Sequence, residues 1–258
     1  MKRVFAIAAH PDDIEFLMAG TLMQLQEAGY EVHYMNVANG CCGTTEYDAP
    51  MIARIRLHEA QEAASFLDAV FHPPICNDLE IFYDRPTLLR LSSIVRDVAP
   101  QIVLTHAPDD YMEDHMNTCR LAVTAAFARC MPNFPVEPQQ PAIFDPVTIY
   151  HAQPYSHRDP LRHIVEPDFF VDVTNLVDRK VQMLAKHASQ KDWLDRSQGH
   201  DSYLKALRDL DEECGRMSAM FNFAEGWRRH LHLGYCGEKD DPIAEALRGK
   251  ILLGKKPE

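Results

Sequence analysis

Three ionisable side chains lie close together near the start of the chain. His10, Asp12 and Asp13 follow an apolar run at 4–8 and precede a stretch with helical periodicity. An imidazole and a carboxylate at such a strand-to-helix turn can direct a nitrogen and an oxygen toward one point. Because ligands of open α/β sheets bind at the carboxyl ends of the strands, we expect this turn to carry chemistry. His10 and Asp13 form half of a zinc-type site.

A second polar cluster, at 106–115, offers a third ligand. It follows an apolar run at 101–105 and ends where another helix begins, so both clusters can meet at one edge of a parallel sheet. A catalytic zinc takes three protein ligands and leaves one position for water. We therefore predict that His10, Asp13 and His115 bind the metal and that Asp12 takes a proton from metal-bound water.

Each of these residues also has an ordinary structural alternative. His10 could be a buried core histidine, Asp12 or Asp13 could cap a helix, and Asp114 with His115 could ease the start of the next helix. One strand-to-helix turn rarely needs three such groups. Their joint occurrence favours the functional interpretation.

The elements that must hold these residues alternate between strands and helices. Strands are predicted up to Ala9 and at 31–38, 101–105, 147–153 and 169–173, and helices at 12–28, 51–67, 86–98, 116–128, 175–189 and 201–223. We expect a single domain, 1–258, of the α/β class. Its Rossmann-like, doubly wound and mostly parallel core at 1–130 carries the metal motifs. A smaller C-terminal elaboration at 131–258 begins with a proline-rich connector at 131–146 and ends in a frayed tail at 254–258.

Composition excludes several classes of partner. The net charge of −12 disfavours nucleic acid and anionic membrane surfaces, and neither a signal peptide nor an apolar run long enough to span a membrane is evident. Seven cysteines form an odd set without metal-type spacing, which is typical of reduced thiols in the cytoplasm. We interpret the adjacent pair Cys41 and Cys42 as small residues of a tight loop rather than a redox or metal site.

The sequence resembles the PIG-L/LmbE-like family of zinc-dependent de-N-acetylases, which act on N-acetylglucosaminyl compounds. The resemblance rests on AHPDDIE at 9–15, AGTL at 19–22, IRLHEA at 55–60 and the segment 109–115, with a weaker match at 189–190. It implies that His10, Asp13 and His115 bind zinc or another divalent metal and that Asp12 is the general base. It further implies that Arg56 reaches the substrate, although a surface pair with Glu59 is the alternative.

The chain departs from the family at Met112. Many members have a histidine there that stabilises the oxyanion or protonates the leaving amine, and a thioether can do neither. Asp114, which would pair with that histidine, is left to orient His115 or to cap the helix. We consider His230, His232 and His151 as replacements for the missing acid or oxyanion donor, with His157 as a further rival. The histidines near the C-terminus could reach a neighbouring subunit, so we expect a homo-oligomer.

These observations predict a hydrolase that removes an N-acetyl group from a small amino-sugar-type, N-acetylglucosamine-like substrate. Two alternatives stay open, namely a metal-dependent amide hydrolase for a non-sugar conjugate and a catalytically silent metal-binding protein. A nucleotide-binding module is disfavoured, because the turn at 9–15 contains no glycine.

Overall fold

Eight strands form one continuous sheet in the computed structural model, which describes residues 1–198 and 202–254. The strands are β1 Lys2–Ala8, β2 Tyr30–Asn36, β3 Val70–His72, β4 Ile102–Thr105, β5 Thr148–Ala152, β6 Phe169–Asp172, β7 Ala224–Arg229 and β8 Ile251–Leu253. The helices within the described residues are α1 Asp13–Leu17, α2 Ala19–Glu27, α3 Ala49–Phe66, α4 Arg85–Val98, α5 Glu113–Ala128, α6 Val177–Leu184, α7 Ala188–Gln198, α8 Ser202–Ser218 and α9 Pro242–Ala246. A 3₁₀ turn spans Tyr155–His157.

The strand order is β3-β2-β1-β4-β5-β7-β6-β8. The first five strands are parallel, and Val4 of β1 pairs with Val32 on one side and Ile102 on the other. The remaining pairings, β5 with β7, β7 with β6 and β6 with β8, are antiparallel. The Rossmann-like α/β prediction is thus confirmed, and the C-terminal elaboration extends the same sheet with antiparallel strands.

Helices cover both faces of the sheet, because alternate side chains of each strand point to opposite sides. Val4 and Ala6 of β1 join a core with α2, α6 and α8, whereas Phe5 and Ile7 join a second core with α4 and α5. Both faces of the sheet are therefore shielded from water, which explains the continuous apolar runs of the central strands. No helix in the described part of the chain is both long and apolar enough to cross a membrane.

The helix predicted at 12–28 is two helices that meet at Met18. Its backbone (φ −137°, ψ −19°) interrupts the helical path, and α2 starts directly afterwards. The free N–H groups of Gly20 and Thr21 donate to the Glu225 carboxylate at 2.8 and 2.7 Å. Glu225 lies on β7, so a distant acidic residue stabilises the start of α2, as a negative charge does at any helix N-terminus.

Other differences from the predicted elements concern the C-terminal half. The helix predicted at 175–189 is α6 followed by the start of α7, and the helix predicted at 201–223 ends at Ser218, with Asp201 outside the described residues. The sequence interpretation missed the short strand β3, the strands β7 and β8, and α9. Of the tail predicted to fray, Gly254 donates its N–H to the Asp168 carbonyl at 2.7 Å, and 255–258 lie outside the described residues.

A buried ion cluster ties the C-terminal helices to the sheet. Lys180 Nζ lies 2.7 Å from Asp211 Oδ2 and 2.7 Å from Glu225 Oε1, and all three side chains are almost completely buried. Burial raises the pKa of Asp211 to about 7, although Lys180 opposes the shift. Glu225 also accepts two backbone N–H groups of α2, whereas the raised pKa of Asp211 makes it the carboxyl that takes up a proton as the pH falls below about 7.

Candidate active site

The predicted metal ligands converge where β1 and β4 end side by side. His10 follows β1, Asp13 is the first residue of α1, and His115 lies in the first turn of α5. One ligand atom from each of the three residues lies within 4.8 Å of the others. In this strand order the position is the topological switch point, where open α/β sheets bind their ligands.

Each of the two imidazoles has one nitrogen fixed by a carboxylate. His10 Nε2 lies 3.0 Å from Asp114 Oδ2, and His115 Nδ1 lies 3.0 Å from Asp110 Oδ1. The other nitrogens face Asp13, with His10 Nδ1 3.6 Å from Oδ2 and His115 Nε2 3.4 Å from Oδ1. Carboxylate support behind a histidine is the usual environment of a metal ligand. The residues present therefore fit a divalent cation.

Charge at this cluster also fits a cation. Burial lowers the pKa of His10, but hydrogen bonds to Asp114 and Asp13 outweigh it and raise the pKa to about 10. For Asp13, burial raises the pKa, yet the neighbouring histidines His115 and His106 hold it well below its usual range. The carboxylates thus attract positive charge strongly, whether as protons on the imidazoles or as a metal ion.

His106 contributes to the cluster, although the sequence interpretation gave it no role. Its ring stacks on that of His115 at a centroid distance of 4.1 Å, and its Nε2 accepts the N–H of Ala9 at 2.9 Å. That hydrogen bond occupies the Nε2 lone pair, and the side chain is fully buried. Through Nε2, His106 positions the β1 turn, and with Asp110 and His115 it forms a second set of ligand atoms that lie within 4.8 Å of one another. The position of His106 directly after β4 was the sequence signal that could have placed it at the site.

Asp12 lies beside the ligands in a strained backbone conformation. Its φ is 111°, a region that a residue with a Cβ rarely occupies and that is common at functional sites. Arg56 Nη2 lies 3.3 Å from Asp12 Oδ2, and the Tyr203 hydroxyl donates to the same oxygen at 2.9 Å. Burial raises the pKa of Asp12, and Arg56 partly offsets this. The result is an oriented carboxylate with increased basicity.

Arg56 is buried at the cavity wall rather than paired on the surface. Its guanidinium donates to the Pro11 carbonyl and contacts Asp12, while Glu59 instead accepts from the backbone and hydroxyl of Ser189 at 2.7 Å each. The loop at 40–43 wraps around Arg56 so closely that a Cβ on Gly40 would lie 2.5 Å from its Cδ. The alternative of a surface pair between Arg56 and Glu59 is therefore wrong.

A cavity of about 450 Å³ opens over the cluster. His10, Asp12, Asp13 and His115 lie in its wall, together with Arg56. Arg56 is the only arginine or lysine among the described residues that line it. The rest of the wall is largely aromatic or aliphatic, formed by Phe16, Leu79, Tyr111, Met112, Tyr155, Trp193, Leu194, Tyr203 and Ala206. Such a wall suits a small, mostly uncharged molecule.

The histidines proposed to replace the missing acid lie elsewhere. His151 is buried, with Nδ1 2.9 Å from the His106 carbonyl and Nε2 2.9 Å from His230 Nδ1. His157 Nε2 donates a hydrogen bond to the Leu210 carbonyl oxygen at 2.9 Å. These two histidines, His230 and His232 are absent from the described cavity wall. Their assignment to the acid role in this subunit is therefore corrected.

Two details at His230 and His232 explain this correction. β7 ends at Arg229, so the extended segment that was expected to align both imidazoles stops before them. His230 Nδ1 is engaged by His151 of its own chain. That these histidines reach a neighbouring subunit stays a prediction.

Asp114 supports the cluster, but through a different partner than expected. The N-cap of α5 is Met112, and Asp114 already lies inside the first turn. Asp114 Oδ2 contacts His10 and accepts the N–H of Leu79 at 2.7 Å. The orientation of His115 falls to Asp110, which the sequence interpretation left without a role. Its position five residues before His115, in the loop after β4, was the only local signal.

Comparisons with known proteins identify relatives of this chain. Residues 5–127 match the family described as PIG-L, GlcNAc-PI de-N-acetylase. The diacetylchitobiose deacetylase of Thermococcus kodakarensis is 28% identical over 202 residues, covering 74% of this chain and 70% of the relative. The 4-oxalmesaconate hydratase of Pseudomonas putida is 26% identical over 198 residues, covering 74% of each chain.

Solved structures extend the likeness beyond the matched residues. The N,N'-diacetylchitobiose deacetylase of Pyrococcus horikoshii superposes with a TM-score of 0.75 at 26% identity, over 90% of this chain and 85% of that one. The similarity therefore includes most of the C-terminal half as well as the segment with the metal motifs.

Proposed function

Residues 5–127 match the PIG-L family of de-N-acetylases, and from this premise we propose that the protein is a metal-dependent hydrolase that removes an acetyl group from a small amino-sugar-type substrate. The observation that carries the proposal is the convergence of His10, Asp13 and His115 within 4.8 Å, beside the carboxylate of Asp12 in the same cavity wall. Three N and O ligands with an adjacent base are the requirements of metal-assisted amide hydrolysis.

A divalent metal held by His10, Asp13 and His115 would polarise the amide carbonyl and make an attacking water more acidic. Zinc suits this ligand set, although iron, cobalt and manganese also accept mixed nitrogen and oxygen donors. Asp110 and Asp114 keep the two imidazoles oriented toward Asp13, so the ligand set is arranged before any substrate arrives.

Asp12 moves the proton in this scheme. It accepts a proton from the attacking water as the new C–O bond forms on the acetyl carbon. It then delivers that proton to the amide nitrogen as the C–N bond breaks, which releases acetate and a free amine. Arg56 and Tyr203 hold the same Asp12 oxygen, leaving the other oxygen for the water. One carboxyl that serves as base and then as acid makes a separate acid at Met112 unnecessary.

The oxyanion needs a donor that Met112 cannot supply, and we assign this role to Tyr111. Its ring stands edge-on to His115 at a centroid distance of 5.5 Å, and the side chain lines the cavity. Partial desolvation at the cavity and the carboxylates of Asp13 and Asp110 raise the pKa of Tyr111, so its hydroxyl keeps its proton at neutral pH and can donate a hydrogen bond.

The cavity favours an uncharged acetamido compound over an anion. The carboxylates of Asp12, Asp13 and Asp78 line it, and Arg56 is already engaged by Asp12 and the Pro11 carbonyl. Aromatic side chains such as Tyr155 and Tyr203 offer flat apolar faces to a sugar ring. The same faces would accept an aryl amine, so a non-sugar acetamide is the alternative substrate within this reaction class.

Hydration of a carbon–carbon double bond is the second candidate, because one relative is a 4-oxalmesaconate hydratase. Water activation by Asp12 would serve that reaction too. The shortage of free cations among the described cavity residues disfavours a polyanionic substrate.

The decisive experiment combines metal analysis of the protein, purified without chelators, with three assays. Acetate release is measured from N-acetylglucosamine, from N,N'-diacetylchitobiose and from an aryl acetamide, and loss of ultraviolet absorbance is measured with 4-oxalmesaconate. We expect about one divalent ion per chain and acetate release from a sugar acetamide. Release from the aryl acetamide alone would move the substrate to the non-sugar class. Bound metal without turnover in any assay would favour a silent metal protein, and absence of metal would overturn the proposal.

A further inference from the structure

Two adjacent thiols lie beside a buried carboxylate at the rim of the cavity. Cys41 Sγ and Cys42 Sγ are 3.9 Å apart. These two sulfurs and one carboxylate oxygen of Asp78 all lie within 4.8 Å of one another. Cys42 and Asp78 line the cavity, Cys42 is exposed and Cys41 is half-buried. The thiols are therefore accessible to a solute.

The loop that carries the thiols has a fixed shape. Asp78 Oδ1 accepts the N–H of Gly40 at 2.7 Å, and Oδ2 accepts the N–H of Cys42 at 2.9 Å. The side chain of Arg56 fills the inside of the loop, since a Cβ on Gly43 would lie 2.5 Å from its Nη1. Such a loop presents both sulfurs without a large change of conformation, and each Asp78 oxygen keeps a second lone pair.

The sulfur spacing matches a chelate. Two thiolates bound at about 2.3 Å to a tetrahedral Zn²⁺ lie about 3.8 Å apart, close to the 3.9 Å between Cys41 Sγ and Cys42 Sγ. Two thiolates and one carboxylate suit thiophilic divalent ions, which prefer sulfur to the nitrogen and oxygen ligands of the first cluster.

The surrounding charge also favours a cation. Partial desolvation at the cavity rim, the neighbouring thiol of Cys41 and the carboxylates of Asp78 and Asp114 raise the pKa of Cys42 to about 11. The negative potential that disfavours a free thiolate stabilises a bound divalent ion. Each thiol that binds would lose its proton to solvent, so one ion would release two protons.

We infer that Cys41, Cys42 and Asp78 form a second metal site, specific for thiophilic divalent ions and separate from the His10, Asp13 and His115 cluster. An ion there is held in the cavity wall next to the loop around Arg56 and narrows the space open to substrate. The inference adds a metal-binding role to the tight loop in which the sequence interpretation placed this cysteine pair.

The test uses Cd²⁺ titration of the full-length, reduced protein, because cadmium–thiolate bonds absorb in the ultraviolet whereas nitrogen and oxygen ligands give no such band. We expect a thiolate band that saturates at one equivalent and is strongly reduced in both Cys41→Ser and Cys42→Ser. Cys130→Ser, at another half-buried cysteine, is the matched control and should keep the full band. His115→Ala should also keep it, which separates this site from the proposed catalytic metal.

A second measurement does not depend on absorbance. Bound Zn²⁺ should slow alkylation of Cys41 and Cys42 by iodoacetamide, read residue by residue by mass spectrometry, while Cys130 is alkylated at an unchanged rate. A band that persists in the Cys41 and Cys42 variants, a band lost in Cys130→Ser, or equal alkylation with and without Zn²⁺ would each overturn the inference.

Discussion

The Asp114 carboxylate lies 3.0 Å from His10 Nε2 across 104 residues of sequence. The same oxygen accepts the backbone N–H of Leu79 at 2.7 Å. Leu79 has a positive φ of 60° and is 61% exposed in the cavity wall, so its strained backbone depends on this anchor. One carboxylate thus orients a proposed metal ligand and a substrate-facing loop together.

Replacing Asp114 should therefore weaken metal binding without abolishing it. In Asp114→Asn the amide can still contact His10, but it lacks the charge that makes the imidazole a better ligand. We expect metal affinity to fall about 10- to 100-fold and activity to recover at high metal concentration. The measurement is competition with a chromogenic chelator. Glu113→Gln, one residue earlier and exposed, should behave like the wild type.

The roles assigned to Asp12 and Asp13 predict opposite outcomes for the same chemical change. Asp12→Asn removes the proton acceptor but no ligand, so kcat should fall about 10²- to 10⁴-fold with metal content unchanged. Asp13→Asn removes a charged ligand and should lower metal content itself. Elemental analysis beside steady-state kinetics separates the two. Loss of metal in Asp12→Asn would contradict the assignment of the base.

Tyr111 and Met112 are neighbours with different predicted importance. Tyr111→Phe removes the proposed oxyanion donor and should lower kcat about 100-fold with little change in KM. Met112→Leu retains volume and removes no proton donor, so its kcat should stay near that of the wild type. An equal loss in both variants would indicate that the segment acts through packing alone.

Gly40 should be far less tolerant of a side chain than Gly29. Both have positive φ, 75° and 89°, but a Cβ at Gly29 meets nothing within 4 Å, whereas at Gly40 it would lie 2.5 Å from Arg56 Cδ. Gly29→Ala should cost about 1–2 kcal/mol of unfolding free energy. Gly40→Ala should cost about 1–3 kcal/mol more and raise KM, because Arg56 must move. Denaturant titration and kinetics on both variants provide the measurement.

The buried cluster of Lys180, Asp211 and Glu225 predicts a pH-dependent stability. The folded-state pKa of Asp211, about 7, lies above its value in an unfolded chain, so the folded protein holds a proton that the unfolded chain releases. The stabilisation of the fold by this proton is complete at acidic pH, below the pKa of Asp211 in the unfolded chain, and is lost as the pH rises through about 7. Each unit of pKa difference corresponds to about 1.4 kcal/mol.

Asp211→Asn keeps a neutral side chain at every pH and lacks this dependence. As the pH increases from about 4 to 7, the free energy of unfolding of the wild type should therefore fall relative to that of Asp211→Asn. Urea titrations across that range test it, and a difference that stays constant with pH would contradict a protonated Asp211.

The convergence of His10, Asp13 and His115 could be predicted from sequence, because their order relative to two buried strands defines one sheet edge. The hydrogen-bond partners could not. Asp114 was expected to serve His115, yet the first turn of α5 directs it to His10 and leaves His115 to Asp110. Which carboxylate reaches which imidazole depends on the rotation of a helix by a fraction of a turn, and spacing does not encode that.

The C-terminal half was harder to predict for a different reason. β7 reads Ala-Glu-Gly-Trp-Arg-Arg, and its Glu225 and Gly226 contradict the apolar pattern of a buried strand. Both have specific partners, since Glu225 pairs with Lys180 and the α2 N-terminus, and a Cβ on Gly226 would lie 2.7 Å from Pro167. The local hydrophobic pattern cannot identify a buried polar residue whose hydrogen-bond partners lie far away in the sequence.

The hydrogen bond from Tyr203 to Asp12 joins residues 191 positions apart and has a consequence for biosynthesis. The ribosome releases the segments that carry the proposed metal ligands long before α8, so a nascent chain would have all three of these residues while the proposed base, Asp12, still lacked one of its two partners. Premature termination within the C-terminal half would yield a product able to sequester metal without a fixed carboxylate to use it. The proposed active site is thus completed only late in translation, when contacts between residues far apart in the sequence form.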